Sequence, residues 1–224
     1  MMRGKITEVF ESVQGEGLYV GDRQVFVRFF GCNLNCQFCD TKPDYFREYA
    51  PRELFEELKQ YPHSRHSISF TGGEPLLQKD FLKELLPLTC KYGFRNYLET
   101  NGTLPEELAE VIDYVDVTAM DLKLSSSTGL DNFWDVHRRF LEIASKKEVF
   151  LKAVICDTTN EEDLKQALKL ITEVNKAAIL VLQPDSYGNV IPIKEKAERF
   201  KDICLEEKIT ACIIPQMHKI IGIR

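Results

Sequence analysis

The chain has 224 residues, of which 44% are hydrophobic and 10% aromatic, and its 29 Lys and Arg face 35 Asp and Glu, a formal net charge of −6. A chain of this length buries roughly 70% of the surface that its unfolded form exposes, which excludes disordered and fibrous classes. The acidic balance, with no Lys/Arg-rich stripe, argues against a nucleic-acid binder.

Short β-branched or aromatic runs alternate along the chain with longer amphipathic patterns. The predicted strands are 25–30, 67–71, 95–100, 116–121, 149–155, 178–183 and a further apolar run at 209–214. The predicted helices lie at about 52–60, 79–92, 105–112, 131–147, 160–175 and 194–207. This alternation predicts a parallel sheet, as an open doubly wound sheet or a complete or partial barrel. About six units fit this length, because an eight-unit barrel normally needs roughly 250 residues.

No linker, repeat or low-complexity segment divides the chain, so we expect a single domain over residues 1–224. The longest apolar run, 177–182, is far shorter than the roughly 18 residues of a membrane-spanning helix. The N-terminus lacks the continuous apolar stretch of a signal peptide. We therefore expect a soluble, cytoplasmic protein without a membrane partner.

Polar and glycine-rich motifs follow five of the predicted strands. They are Gly31-Cys32, Thr71-Gly72-Gly73-Glu74-Pro75, Glu99-Thr100-Asn101-Gly102-Thr103, Asp121-Leu122-Lys123 and Gln183-Pro184-Asp185. In a β/α barrel the carboxyl ends of the strands form the rim of the active site. Five such motifs on one rim indicate an enzyme.

Three of the seven cysteines form a C-x3-C-x2-C array, Cys32, Cys36 and Cys39. Three thiolates hold three irons of a cubane cluster and leave the fourth iron open to an exchangeable ligand. A structural zinc site needs a fourth Cys or His at a matching spacing, and no histidine pair lies near the array. We favour the cluster, and a non-catalytic zinc or cluster module is the alternative. The other four, Cys90, Cys156, Cys204 and Cys212, are scattered singly, as buried apolar residues usually are.

The cysteine array, Phe38 and the Thr71-Gly72-Gly73-Glu74-Pro75 motif together resemble the radical S-adenosylmethionine superfamily. The resemblance implies that the open iron binds the amino and carboxylate groups of S-adenosylmethionine, with Phe38 near the adenine. It also implies that the reduced cluster cleaves this cofactor to a 5′-deoxyadenosyl radical. We expect the glycine pair to let the backbone approach the methionyl end of the cofactor without an intervening Cβ.

Segments at both ends of the chain resemble the 7-carboxy-7-deazaguanine synthase family. They are Glu11-Ser12-Val13-Gln14-Gly15-Glu16-Gly17, Val25-Phe26-Val27-Arg28, Cys39-Asp40-Thr41 and Pro215-Gln216-Met217-His218-Lys219. The resemblance implies a lyase that converts 6-carboxy-5,6,7,8-tetrahydropterin to 7-carboxy-7-deazaguanine with loss of ammonia, on the route to queuosine-type 7-deazapurines. It also implies an incomplete, partial β/α barrel of about six units, a homodimer, a magnesium ion and an electron donor such as a flavodoxin or ferredoxin.

The same resemblance implies a role for individual positions. The implied cluster ligands are Cys32, Cys36 and Cys39, and the implied magnesium ligand is Thr41. The implied cofactor contacts are Phe38, Cys39, Asp40, Gly73, Asp121, Leu122, Lys123, Gln183, Pro184 and Asp185. The implied substrate contacts are Val13, Gln14, Gly15, Arg28, Thr71 and the terminal Arg224, so residues 1–24 and 209–224 are expected to supply substrate-side elements. The segment Asp121-Leu122-Lys123-Leu124-Ser125-Ser126-Ser127 departs from the family pattern, and only Lys123 aligns well there.

Several residues keep two interpretations. Arg28 lies in an otherwise apolar strand, where an unpaired charge is costly, so it binds a ligand or forms an ion pair. Glu99 is a hydrogen bonder at the rim or a solvated carboxylate, and His218 is a site residue or a surface histidine. The alternative activity is that of a glycyl-radical-enzyme activating protein, whose members share the cysteine spacing but lack the Ser-x-Gln-Gly-Glu-Gly segment.

Overall fold

The structure, a computed structural model, describes residues 2–39, 43–62, 65–188 and 190–222. Its strands are β1 (Gly4–Val13), β2 (Arg23–Phe29), β3 (Arg47–Tyr49), β4 (Ser67–Gly72), β5 (Asn96–Thr100), β6 (Val117–Asp121), β7 (Glu148–Ile155), β8 (Leu180–Pro184) and β9 (Ala211–Ile213). Its helices are α1 (Pro51–Leu58), α2 (Lys79–Tyr92), α3 (Pro105–Ala109), α4 (Ser125–Thr128), α5 (Trp134–Ala144), α6 (Glu161–Val174), α7 (Val190–Glu206) and α8 (Met217–Ile221). Short 3-10 turns lie at Gly17–Tyr19, Pro75–Gln78 and Ile112–Tyr114.

All strands of the described residues belong to one sheet in the order β3-β1-β2-β4-β5-β6-β7-β8-β9. From β2 through β4 to β9 neighbouring strands run parallel, whereas β1 pairs antiparallel with both β2 and β3. The sheet is open, and six crossovers connect its seven parallel strands. The predicted incomplete barrel of about six units is therefore confirmed, and a closed barrel is not formed.

The ten-residue strand β1 is absent from the sequence-based prediction. Its register against β2 shifts between Ile6 and Glu8, which marks a bulge. A bulge changes which face the following side chains occupy, so the apolar residues of β1 do not keep the strict alternation that identifies a half-buried strand. Charged residues such as Glu11 weaken the strand signal further.

The alternation of side chains along each strand gives the sheet two different faces. On one face Phe70, Leu98 and Met120 join the main core, which also includes buried apolar side chains from α1, α2, α5, α6 and α7. The other face carries a smaller apolar cluster of Tyr97, Val117, Ala119, Phe150 and Val181. Leu18 and Tyr19, from the first 3-10 turn, pack against this smaller cluster. A cavity lies against the rest of that face.

Helix ends follow local signals in the sequence. Pro51 and Pro105 occupy first helical positions, where a missing N–H costs nothing. Asn160 caps α6, since its side-chain oxygen accepts a hydrogen bond from the backbone N–H of Asp163 at 2.9 Å. Gly93 ends α2 in the left-handed region, with φ at +90°. Among the described residues, no helix combines the length and the apolar character that crossing a membrane requires.

Candidate functional site

A cavity of about 250 Å³ lies on the face of the sheet that bears the smaller apolar cluster. Most residues predicted to contact cluster, cofactor or substrate line it, namely Val13, Gln14, Gly15, Arg28, Cys32, Cys36, Phe38, Cys39, Thr71, Gly73, Asp121, Lys123, Gln183 and Asp185. The predicted contacts Leu122 and Pro184 are not among the lining residues, and the Leu122 side chain is buried in the main core. The predicted residues Asp40, Thr41 and Arg224 lie outside the described residues.

All three array cysteines are free thiols that line this cavity. Burial raises the pKa of the Cys32 and Cys36 thiols, which favours their neutral forms before a metal binds. No group of three metal-binding side chains among the described residues closes around one ion. A cubane cluster places each thiolate on a different iron, so its ligands need not converge on a point, and the donor set fits such a cluster.

Protein hydrogen bonds hold the cysteine loop at two places. The Asn101 side chain donates to Asn33 Oδ1 at 2.8 Å and to Cys32 Sγ at 3.8 Å. The backbone N–H of Gln37 donates to the carbonyl of Thr128 at 3.0 Å, at the end of α4. The loop is therefore anchored to the segment that follows β5 and to α4.

The serine segment that departs from the family pattern forms α4. Asp163 accepts hydrogen bonds from the backbone N–H and the hydroxyl of Ser126, at 2.8 and 2.6 Å, and from the Ser125 hydroxyl at 3.1 Å. The Ser127 hydroxyl donates to the carbonyl of Val154 at 2.9 Å. These hydrogen bonds hold α4 in the place where it supports the cysteine loop. The serine segment that differs from the family pattern therefore has a structural role.

The glycine pair at the end of β4 packs against the segment between β2 and the cysteines. A Cβ on Gly73 would lie 1.8 Å from the carbonyl oxygen of Gly31, and Gly72 has φ at +120°. We expected these glycines to make room for the cofactor. The structure gives a further reason for glycine, the close approach of two backbone segments, while Gly73 also lines the cavity.

Glu74, which follows this pair, is fully buried. Its carboxyl group accepts hydrogen bonds from the backbone N–H groups of Leu76 and Asn101, at 3.0 and 2.8 Å, and from the Thr100 hydroxyl at 2.9 Å. Burial outweighs these donors and raises its pKa to about 7. Glu74 thereby joins the loops that follow β4 and β5.

Charged and aromatic groups form the predicted cofactor side of the cavity. The Lys123 Nζ lies 2.7 Å from Asp121 Oδ2 and 5.2 Å from the centre of the Phe38 ring. Within the described part of the chain, Asp121 Oδ1 and Gln183 Oε1 are buried acceptors without a hydrogen-bond partner. Unpaired buried acceptors are costly, and a ligand with ammonium, hydroxyl or amino donors would satisfy them. These residues therefore fit S-adenosylmethionine.

A network of side-chain hydrogen bonds forms the predicted substrate side. Gln14 Nε2 donates to Glu99 Oε1 at 2.8 Å, and Glu99 accepts from the hydroxyls of Ser69 and Thr71, both at 3.0 Å. Glu99 is thus a hydrogen-bonded residue of the rim and not a solvated carboxylate. The network fixes the Gln14 amide, a group that can both donate to and accept from a heterocycle.

Arg28 forms an ion pair and also lines the cavity. Its Nε lies 2.7 Å from Glu8 Oε1 on the neighbouring strand β1. The ion-pair interpretation is therefore correct. A guanidinium has five N–H donors, so this pair leaves capacity for a substrate carboxylate.

Lys152 and Glu16 face each other inside the cavity, 2.5 Å apart between Nζ and Oε2. Burial raises the pKa of Glu16, but Lys152, Gln216 and His218 together outweigh burial and lower it to about 2. Burial lowers the pKa of Lys152, but Glu16 and Asp121 hold it well above its ordinary value. Lys152 is not among the predicted site residues, although its signal, a charge within the apolar strand β7, is the one that identified Arg28.

The C-terminal segment reaches the same cavity. Gln216 Nε2 donates to Glu16 Oε1 at 2.8 Å, and the backbone N–H of Met217 donates to the Gly15 carbonyl at 2.9 Å. His218 lines the cavity, with Nδ1 4.0 Å from Glu16 Oε1. His218 is therefore placed at the site and not on a remote surface.

Behind the rim, His137 of α5 is buried and neutral. Its Nε2 donates to the carbonyl of Asn101 at 3.3 Å, and burial lowers its pKa to about 4. The unfolded chain takes up this proton near pH 6.5, so stability is lost as pH falls from 6.5 to 4. At 1.36 kcal/mol for each pKa unit, the loss is about 3 kcal/mol.

We expect a His137→Gln variant to lose less stability across this pH range than the native protein. Urea unfolding of both metal-free proteins at pH 7 and pH 4.5 measures the difference. The native chain's Glu74 has a raised pKa and changes stability in the opposite direction, but it is present in both proteins and cancels in the comparison. Equal pH dependence in the two proteins would contradict the assignment.

Known proteins similar to this chain support the family resemblance on which the predicted site rests. The sequence model of the Radical SAM superfamily matches residues 26–184. A 7-carboxy-7-deazaguanine synthase of Geobacter sulfurreducens is 37% identical over 97% of this chain and 97% of that protein, and one of Archaeoglobus fulgidus is 36% identical over 100% of both. The crystal structure of QueE from Escherichia coli has the same fold, with a TM-score of 0.66 at 20% identity, over 95% of this chain and 94% of that one. These matches over the full length place the chain in the 7-carboxy-7-deazaguanine synthase family of the radical SAM superfamily.

Proposed function

We propose that this radical SAM enzyme converts 6-carboxy-5,6,7,8-tetrahydropterin to 7-carboxy-7-deazaguanine with release of ammonia. The observation that carries the proposal is one cavity lined both by the three array cysteines and by the Gln14 and Glu99 network. The family places the product on the queuosine-type 7-deazapurine route. A bound cluster and S-adenosylmethionine supply hydrogen abstraction from a carbon of the substrate.

The chain itself binds and orients the reactants. Cys32, Cys36 and Cys39 would hold the cluster, and the acceptors of Asp121 and Gln183 would take donors of the cofactor. The fixed amide of Gln14 would pair with the edge of the pterin. The remaining donors of Arg28 would receive its carboxylate.

The terminal segments supply much of the proposed substrate side. Val13, Gln14 and Gly15 line the cavity from the end of β1 and the loop after it, and Gln216 and His218 line it from the C-terminal segment. This arrangement supports one domain over 1–224, in which residues 1–24 and 209–224 contribute substrate-side elements.

Product formation tests the proposal directly. Anaerobically reconstituted protein is given dithionite, S-adenosylmethionine and carboxytetrahydropterin, and the mixture is analysed by mass spectrometry. We expect 7-carboxy-7-deazaguanine in the native protein and at least ~100-fold less in Gln14→Ala, because the misplaced substrate no longer meets the reacting group. Cofactor cleavage without any conversion of the pterin would overturn the substrate assignment.

The cavity also separates this proposal from the activation of a partner enzyme. An activating protein must admit a polypeptide segment, whereas here both termini of the chain contribute side chains to the cavity through Gln14, Glu16 and Gln216. We therefore favour a small-molecule substrate. Stoichiometric capture of a large partner enzyme that acquires a radical would favour the alternative.

Other parts of the proposal rest on the family resemblance. We propose a magnesium ion held by Thr41 and by substrate oxygens, because a hard cation prefers oxygen ligands. Loss of activity after a chelator removes the ion is the test.

We also propose a homodimer, which sedimentation can test, and a flavodoxin or ferredoxin as the electron donor. A cytoplasmic location agrees with the need for reduced thiols at the cluster.

A further inference from the structure

The cavity contains a continuous line of alternating charges that joins its two sides. The Nζ of Lys123 lies 2.7 Å from Asp121 Oδ2, and the same oxygen lies 3.7 Å from the Nζ of Lys152. Lys152 meets Glu16 at 2.5 Å, and Glu16 accepts a hydrogen bond from Gln216. Each of the four charged side chains is at least four-fifths buried, so solvent screens these interactions only weakly.

Lys152 is the centre of this line. It stands on β7, between Asp121 on the predicted cofactor side and Glu16 in the segment that holds the predicted substrate contacts. Glu16 is tied to those contacts, because its backbone N–H donates to Gln14 Oε1 at 3.0 Å. Gln216 extends the connection to the loop after β8, since the Ser186 hydroxyl donates to its Oε1 at 2.8 Å.

We propose that Lys152 is a positioning residue that couples the cofactor side of the cavity to its substrate side. The inference rests on the proposed function and adds to it a residue that holds both binding surfaces at once. When one ligand fixes its own side, Lys152 fixes the other side as well. Each ligand should therefore strengthen the binding of the other by the same factor.

Affinity for S-adenosylmethionine measures this coupling. Its dissociation constant is determined by equilibrium dialysis on anaerobically reconstituted protein, with and without saturating carboxytetrahydropterin. For the native protein we expect the pterin to tighten cofactor binding by at least about fivefold. In Lys152→Arg, which retains the charge, we expect most of this factor to remain.

Loss of the charge has two separable effects. Lys152→Met leaves Glu16 buried without its cation, whereas Asp121 keeps its ion pair with Lys123. This variant should melt at a lower temperature and lose the coupling. The double variant Glu16→Gln with Lys152→Met removes one charge of each sign. It should recover much of the melting temperature and still show a coupling factor below about twofold, because the connection itself is absent.

Lys83→Met is the matched control, since Lys83, which lies on α2, forms an exposed ion pair with Glu110 away from the cavity. It should keep the native coupling factor. Native coupling in the double variant would overturn the role of Lys152, and so would a coupling that falls only in proportion to melting temperature across all variants.

The two proposals fail in different ways. If the native protein shows coupling but yields no deazaguanine product, the proposed reaction is wrong. The coupling measured in the variants still tests the role of Lys152. If the native protein makes product but the pterin leaves cofactor affinity unchanged, the reaction stands and the proposed role of Lys152 is wrong.

Discussion

Replacing Cys36 with alanine should abolish product formation, to at least ~1,000-fold below the native rate, while the protein still folds. The side chain is buried at the cavity, and its thiolate is one of only three that the array offers to the irons. Two thiolates leave two irons without protein ligands, so the cluster should not persist. Iron and acid-labile sulfide content, together with the visible spectrum after anaerobic reconstitution, measure its loss.

Cys204→Ala is the matched control for this prediction. Cys204 is a buried free thiol on α7, far along the chain from the array, and it packs in the main core. Its replacement should cost about 1 kcal/mol of stability through lost packing and leave the iron content unchanged. An intact cluster in Cys36→Ala, or a lost one in Cys204→Ala, would contradict the division of the cysteines into ligands and packing residues.

Replacing Gly73 with alanine should have the second large effect. The added Cβ would lie 1.8 Å from the Gly31 carbonyl oxygen, so the strand end before Cys32 or the loop after β4 must shift by more than 1 Å. We expect a loss of about 3 kcal/mol of stability, at the upper end of overpacking costs. Because a displacement of 1 Å can cost about 100-fold in rate, activity should fall by at least that factor. Urea unfolding and product formation are the measurements.

Gly93→Ala separates this steric clash from backbone strain. Gly93 has φ at +90°, but no atom lies within 4 Å of the Cβ that alanine would add. The change should cost about 1 kcal/mol and leave activity unaffected. If Gly73→Ala is no more harmful than Gly93→Ala, the close backbone approach is not what requires glycine at position 73.

Most of the parallel sheet could be predicted because its strands and helices carry strong periodic signals. The prediction of α2 at 79–92 matches its observed bounds, where a glycine ends the helix. The short α4 and α8 were not predicted, since four or five residues show no helical period and neither helix begins with a proline, as the equally short α3 does. Strand β3 has only three residues, and a bulge interrupts β1, so neither shows a regular alternation.

The site could be located from motifs at strand ends, but its internal bonds could not. The cysteine array and the glycine pair can be recognised from their spacing in the sequence, without knowledge of which residues they contact. The pairing of Lys152 with Glu16 depends on how the N-terminal segment folds back over β7, 136 positions away in sequence. The Glu8 partner of Arg28 likewise lies on β1, the strand that the pattern did not reveal.

The anchoring of the cysteine loop bears on repair after damage by oxygen. Asn33 is bonded to Asn101, and Gln37 to Thr128, through groups that contain no metal. Losing the iron removes none of these bonds, so the loop keeps its attachments when the cluster decomposes. Protein that has lost its cluster in air should regain it from iron, sulfide and a thiol reductant without passing through unfolding, as long as the three thiols are reduced.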